Sequence, residues 1–167
     1  SDPEDKAWRE VAGAILKRIK APTFPARDFP ITSFGAVAGA AVSAAQVVAN
    51  TQAINNAIVA ANLAGGGRVV VPSGTFMTGA LRLRSNVELH LPNTDSVLLF
   101  DTDPRNYPNV LTRWEGNDLY NYSPLVYAFR ETNIAITGAG TLDGQAGIGL
   151  ADPNNRQGNP SAWWWWK

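Results

Sequence analysis

The chain has 167 residues, enough for one ordinary domain, and its 14 basic and 14 acidic side chains give zero formal net charge. With no basic stripe or acidic tail, that balance argues against nucleic acid or anionic membrane as main partner. Cys is absent, which excludes a disulfide framework and a thiolate metal site, while 15 Gly and 11 Pro against 17 % charged residues lean towards short strands and turns.

Residues 6–20, "KAWREVAGAILKRIK", set Trp8, Val11, Ile15, Leu16 and Ile19 at helical spacing. Acids at the start, bases at the end, and Pro22 and Pro25 beyond it fit one short helix. Its apolar face is expected to lie on a larger body, so residues 1–30 read as a helical arm and linker and residues 31–167 as the main domain. The opening "SDPEDKAW" has neither the basic start nor the apolar core of a signal peptide, and no apolar run reaches the roughly 18 residues of a membrane span. A mature or trimmed soluble protein is the expectation.

"ITSFGA" (31–36) alternates like a strand. A helix is predicted over 51–63, with Ile54, Ile58 and Leu63 on one face, Asn50 or Thr51 as cap and the glycines from Gly65 as stop. Residues 37–49 stay open between loop and helix, because alanines favour helix and Gly39 and the valines do not. After the glycines, β-rich segments at 68–71, 75–77, 80–84, 86–91 and 96–100 are broken by Pro, Gly, Asn and Asp. The pattern at Asn86 returns at Asn133; with an irregular insert at 101–124 removed, about 23 residues per repeat remain, the length of one β-helix coil. Such coils bury their inward side chains only by stacking.

"ITSFGA", "NTQAINNAI", "GGGRVVVPSGTFMTGALRLRSNVELHL", "LLFDTDPRNYP", "RWEG", "NYSPLVYA" and "NIAITGAGTLDGQ", in that order, resemble the N-terminal third of bacterial glycoside hydrolase family 28, the polygalacturonases and related pectin hydrolases. The resemblance covers about residues 22–167. It implies a mainly β, right-handed parallel β-helix, here its first coils only, with a helical arm and a capping α-helix. It also implies a secreted or periplasmic enzyme that cleaves α-1,4-galacturonosyl linkages of pectic polysaccharide or oligogalacturonide by inversion, without cofactor. The chain departs from the family at "GAVAGAAVSAAQVVAN", where G-D-G-x-x-D is usual.

In the family, the catalytic carboxylates come from an N-T-D motif and an Asp-Asp pair one coil later. Here Asn93-Thr94-Asp95 spells the first, yet no Asp-Asp pair occurs, His90 precedes Leu91 where a Gly is needed, and Arg18-Ile19-Lys20 sits ahead of everything. The triplet is therefore read as a turn, and no catalytic residue is assigned. Asp95, Asp101 and Asp103 read as turn acids, not a calcium cluster; His90 reads as an outward strand residue, Asp143 as a turn residue, and no metal site is expected. The insert is the most functional-looking part: Arg113 suits a uronate carboxylate, and Trp114, Tyr120 and Tyr122 offer flat faces to sugar rings. The plain alternative has these aromatics packing the insert onto the helix. Four consecutive Trp (163–166) imply burial against further coils, a partner or a sugar. Two other functions stay open: a non-catalytic β-helix module that binds polysaccharide or self-associates through its open end, and a polysaccharide lyase.

Overall fold

The computed structural model describes residues 3–145; the four-Trp run lies outside them. The first element, α1 (Pro3–Arg18), has Glu4 and Asp5 in its first turn and Lys17 and Arg18 in its last, each favourable to the helix dipole. Its apolar face was expected to pack on the body, but Trp8, Val11, Ile15, Leu16 and Ile19 are all exposed, Trp8 to 69 %. Residues 19–25, which include Pro22 and Pro25, belong to neither helix nor strand.

The predicted strand at 31–36 is displaced. Asp28–Pro30 forms β1, and Ile31–Phe34 turns into a short 3₁₀ helix with Ile31 fully buried. Pro30 supplies no N–H to prolong the ladder, and Gly35 closes the turn by donating to the carbonyls of Ile31 and Thr32. The second helix, α2, also differs: it spans Ala44–Leu63 and so starts well before position 51. Its cap is Ser43, whose Oγ accepts from the Gln46 N–H at 3.2 Å, and the alanines that follow carry the helix forward. Asn50, expected at the cap, lies inside the helix and is completely buried.

Beyond α2 the chain winds in coils with three parallel faces. Strands β2 (Gly67–Val70), β3 (Gly74–Thr78) and β4 (Leu81–Arg82) form one coil. β5 (Val87–Leu91) and β6 (Ser96–Phe100) begin the next, and β9 (Val126–Tyr127) completes it after an excursion. β10 (Ala135–Gly138) and β11 (Thr141–Asp143) start a further one. The faces are β1-β2-β5-β10, β3-β6-β11 and β4-β9, all parallel. Val69 stands opposite Leu89, and Leu89 stands opposite Ile136, this second pair at the spacing that separates the two Asn motifs.

Alternate residues point inward and stack coil on coil. Val69, Phe76, Leu81, Leu89 and Leu98 are buried with Ile54 and Ile58 of α2, which packs against β2, β3 and β4. Ala53, Ala57 and Ala61, one turn apart on that helix, are small enough to let it sit close. Each of the larger side chains contributes about 1.5–3 kcal/mol by leaving water.

One corner is built by asparagines. Asn86 and Asn133 hold left-handed backbone (φ 65° and 54°), and Asn133 Nδ2 donates to Asn86 Oδ1 at 3.1 Å. The segment 23–27, bent at Ala26 where the Arg27 N–H donates to the Pro25 carbonyl (2.8 Å), crosses the coils here. Thr23 donates its N–H to Asn133 Oδ1 (3.2 Å) and accepts from Asn133 Nδ2 (2.9 Å), Pro25 lies against Gly66, and the Arg27 carbonyl accepts from Arg68 (2.8 Å).

Candidate functional site

The excursion at 101–124, expected to be irregular, contains a regular antiparallel hairpin. Strands β7 (Asn109–Trp114) and β8 (Asn117–Tyr122) pair from Asn109 opposite Tyr122 to Trp114 opposite Asn117. The two-residue loop Glu115-Gly116 has φ 47° and 88°, both positive as the tight hairpin turn requires. No Asn-Gly pair announces it, which is why the turn was not legible. At its base the Ser123 N–H donates to the Pro108 carbonyl (2.8 Å), and the Tyr127 hydroxyl donates to the Leu111 carbonyl (2.8 Å).

Strand alternation sorts the four expected binding residues. Arg113, Tyr120 and Tyr122 stand on one face of the hairpin, because directly opposed pairs share a side; Trp114 stands on the other. The aromatics do not pack on α2: Trp114, Tyr120 and Tyr122 are exposed, Tyr120 to 75 %.

Between the hairpin and the strand that follows lies an open groove of about 640 Å³, lined by Arg113, Asp118, Tyr127, Phe129 and Arg130 among others. Arg113 Nε lies 3.4 Å from Asp118 Oδ1 and donates to the Gly116 carbonyl at 3.2 Å. Arg130 lies over the Phe129 ring, 5.1 Å from its centroid, and Arg82 over Tyr127 at 5.7 Å. A guanidinium backed by an aromatic face keeps its charge and gains orientation, the combination that grips a planar carboxylate beside an apolar sugar face. Tyr127, Phe129 and Arg130 were missed in the sequence, although "YAFR" (127–130), shortly after the insert, sets two aromatics at strand spacing beside an arginine and was the available signal.

The other candidates fall elsewhere. Asn93-Thr94-Asp95 is an exposed turn between β5 and β6: Asn93 Nδ2 donates to Ser73 Oγ (3.0 Å), and the Asp95 carbonyl accepts from Gly74 (2.9 Å). Asp101 accepts from its neighbour Thr102 and from Asn106, and its carbonyl from the Tyr107 hydroxyl. Burial, then the Asp101 charge, push that phenol well above its ordinary range. Hydrogen bonds from the Arg105 side chain, then its backbone, hold Asp103 below the usual carboxylate range. His90 points out from β5 and shares Thr137 with Glu88, at 2.7 Å and 2.6 Å. Asp143 Oδ1 accepts from Gln145 in a turn (2.8 Å). Among the described residues, no group of three or more His, Asp or Glu side chains converges to hold a metal ion.

Against solved structures, the chain matches a hyperthermoactive exopolygalacturonase from Thermotoga maritima at 41 % identity and TM-score 0.74, over 83 % of this chain and 29 % of that one. The chain is similar to polygalacturonases. A family 28 exopolygalacturonase from Yersinia enterocolitica matches at 28 % identity and TM-score 0.59, over 71 % of this chain and 21 % of that one. A probable polygalacturonase from Vitis vinifera is 34 % identical over 90 residues, half of this chain and 18 % of that protein. The chain thus spans less than a third of each relative's length. No protein-family model matches it. The likeness supports a family-28-like chain of mainly β, parallel-sheet architecture, similar to pectin-degrading β-helix enzymes.

Proposed function

We propose that the chain forms the N-terminal coils of a secreted or periplasmic pectin-degrading glycoside hydrolase, which cleaves α-1,4-galacturonosyl linkages with inversion. The observation that carries this reading is the 41 % identity to an exopolygalacturonase over 83 % of the chain, with the coils superposing at TM-score 0.74. Inverting hydrolysis requires one carboxylic acid to protonate the leaving oxygen and a second carboxylate, about 6.5–9.5 Å away, to activate water. Asn93-Thr94-Asp95 occupies a turn held by main-chain bonds, and the sequence contains no Asp-Asp pair. In this reading the 167 residues bind pectic chains without cleaving them.

The hairpin groove is the proposed binding surface. Arg113 and Arg130 receive uronate carboxylates, and the Phe129 ring backs the Arg130 guanidinium; Tyr120 and Tyr122 extend the same side of the hairpin as Arg113. Asp118 weakens the site for anions by competing for Arg113. Titration with oligogalacturonides, followed by calorimetry, should show binding that weakens with salt and falls about tenfold in Arg113→Ala or Arg130→Ala, the loss of one charge-assisted contact. Reducing-end release from polygalacturonate should stay at the buffer level. Release by the purified chain would overturn the non-cleaving reading, and unchanged binding in both variants would remove the groove. A plain carbohydrate-binding module is the second reading, favoured by the exposed faces of Trp114, Tyr120 and Tyr122; binding of neutral oligosaccharides as tight as uronates would select it.

A further inference from the structure

The α1 helix carries a surface that nothing within the described residues covers. Trp8, Val11, Ile15, Leu16 and Ile19 form a continuous apolar stripe, each side chain 44–69 % exposed. A 16-residue helix with a glycine at position 13 is marginal in water by itself, since helices of this length draw their stability from packing of the apolar face. Such a stripe marks an interaction site.

We propose that α1 pairs antiparallel with α1 of a second copy of the chain. The charge order decides the occupant and the direction. Glu4 and Asp5 sit at one end of the stripe and Lys17, Arg18 and Lys20 at the other. In an antiparallel pair, each acidic end meets the partner's basic end, Asp5 faces Arg18, and Trp8 meets Ile15 across the two-fold axis. A parallel pair would set acid on acid and base on base. An anionic bilayer is the competing partner, since residues 3–20 carry five basic side chains (Lys6, Arg9, Lys17, Arg18 and Lys20) against three acidic ones (Glu4, Asp5 and Glu10); the acids Glu4 and Asp5 at the Trp8 end favour the helix pair, because helices that lie on membranes carry Lys and Arg along the whole polar face. The interface is isologous and closes at two copies.

The test is sedimentation of the full chain over a range of concentrations. A monomer–dimer equilibrium is expected, and Trp8→Ser with Ile15→Ser should abolish it while the far-ultraviolet signal of the coils persists. Glu4→Lys/Asp5→Lys and Lys17→Glu/Arg18→Glu should each associate at least tenfold more weakly alone, and mixing the two should restore dimer. Because the chain has no Cys, direction is read by cross-linking: an Asp5→Cys chain should form a disulfide with an Arg18→Cys chain and not with itself. A chain that stays monomeric at every concentration overturns the proposal. So does a dimer indifferent to Trp8 and Ile15, self-cross-linking of Asp5→Cys, or co-sedimentation with phosphatidylserine vesicles in place of self-association.

Discussion

Asn50 shows how one side chain replaces several backbone partners. Its Oδ1 accepts from the Val37 N–H at 2.9 Å and from Gln46 Nε2 at 3.0 Å, and its Nδ2 donates to the carbonyls of Val37 and Met77, each at 3.0 Å. The loop before α2 and the strand beneath it are thereby tied to one buried amide. Asn50→Leu keeps the volume and strands these groups, so urea denaturation should show a loss of about 2–4 kcal/mol. Nothing in the sequence separated this residue from a cap: a polar residue beside a helical run suggests a terminus, and only the coil packed against it reveals an interior bond. Glu131 acts at a corner between coils. Its carboxylate accepts from the Ser85 hydroxyl (2.6 Å) and N–H (2.8 Å) with Arg84 beside it, and these bonds, the hydroxyl first, hold its pKa below the ordinary value. A lowered folded pKa adds stability that is complete above the unfolded value near 4.3 and fades as pH falls through the folded value. Melting curves of the parent and Glu131→Gln should therefore differ at pH 7 and converge towards pH 3.

Among elements, strand positions were the most legible, because Pro, Gly, Asn and Asp interrupt them at every coil corner; β5 and β6 end within a residue of the expected limits. The helices were less so. Ser43 was hidden in an alanine-rich run where composition favours no single start, and its Oγ contact is what sets the boundary. Ser43→Ala should cost about 1 kcal/mol in thermal or urea unfolding and leave the strands unchanged. The hairpin was illegible because Glu115 stands where Asn is preferred, and its exposed faces give no amphipathic contrast. Gly116→Ala should lower local stability by about 1–2 kcal/mol, seen as faster amide exchange along β7 and β8, because Gly116 holds φ 88°. If the groove binds uronates, affinity falls with it.

At the scale of the molecule, the stacking was readable from the spacing of Asn86 and Asn133, while the groove was not, since it depends on where the excursion folds back. Coils contact only their neighbours, so damage at one junction should propagate to those beyond it. Leu89, between Val69 and Ile136 in the same ladder, tests this: Leu89→Ala should cost about 2–5 kcal/mol and loosen both junctions. Gly138 marks a second pinch, where an added Cβ would fall 2.0 Å from the Leu91 carbonyl oxygen. Backbone must move to admit any side chain there, and Gly138→Ala should detach β10 from β5 before it affects β2.

The segment 23–27 runs across this order. Thr23 meets Asn133 110 positions along the chain, so the strut, tied at Arg27 to Arg68 as soon as the first coil forms, gains its fastening at Thr23 only when the coil that carries Asn133 has left the ribosome. Neighbouring coils can zip locally as they emerge, but this corner must wait, and closure over so long a stretch costs only slightly more entropy than over half of it. The strut makes a nearest-neighbour stack behave partly as a closed loop: its beginning senses whether its later coils have formed. In Asn133→Gly, which keeps the backbone turn and removes the amide, the Thr23 N–H should exchange freely while the β-strand amides stay protected, separating the delayed fastening from the coiling that precedes it.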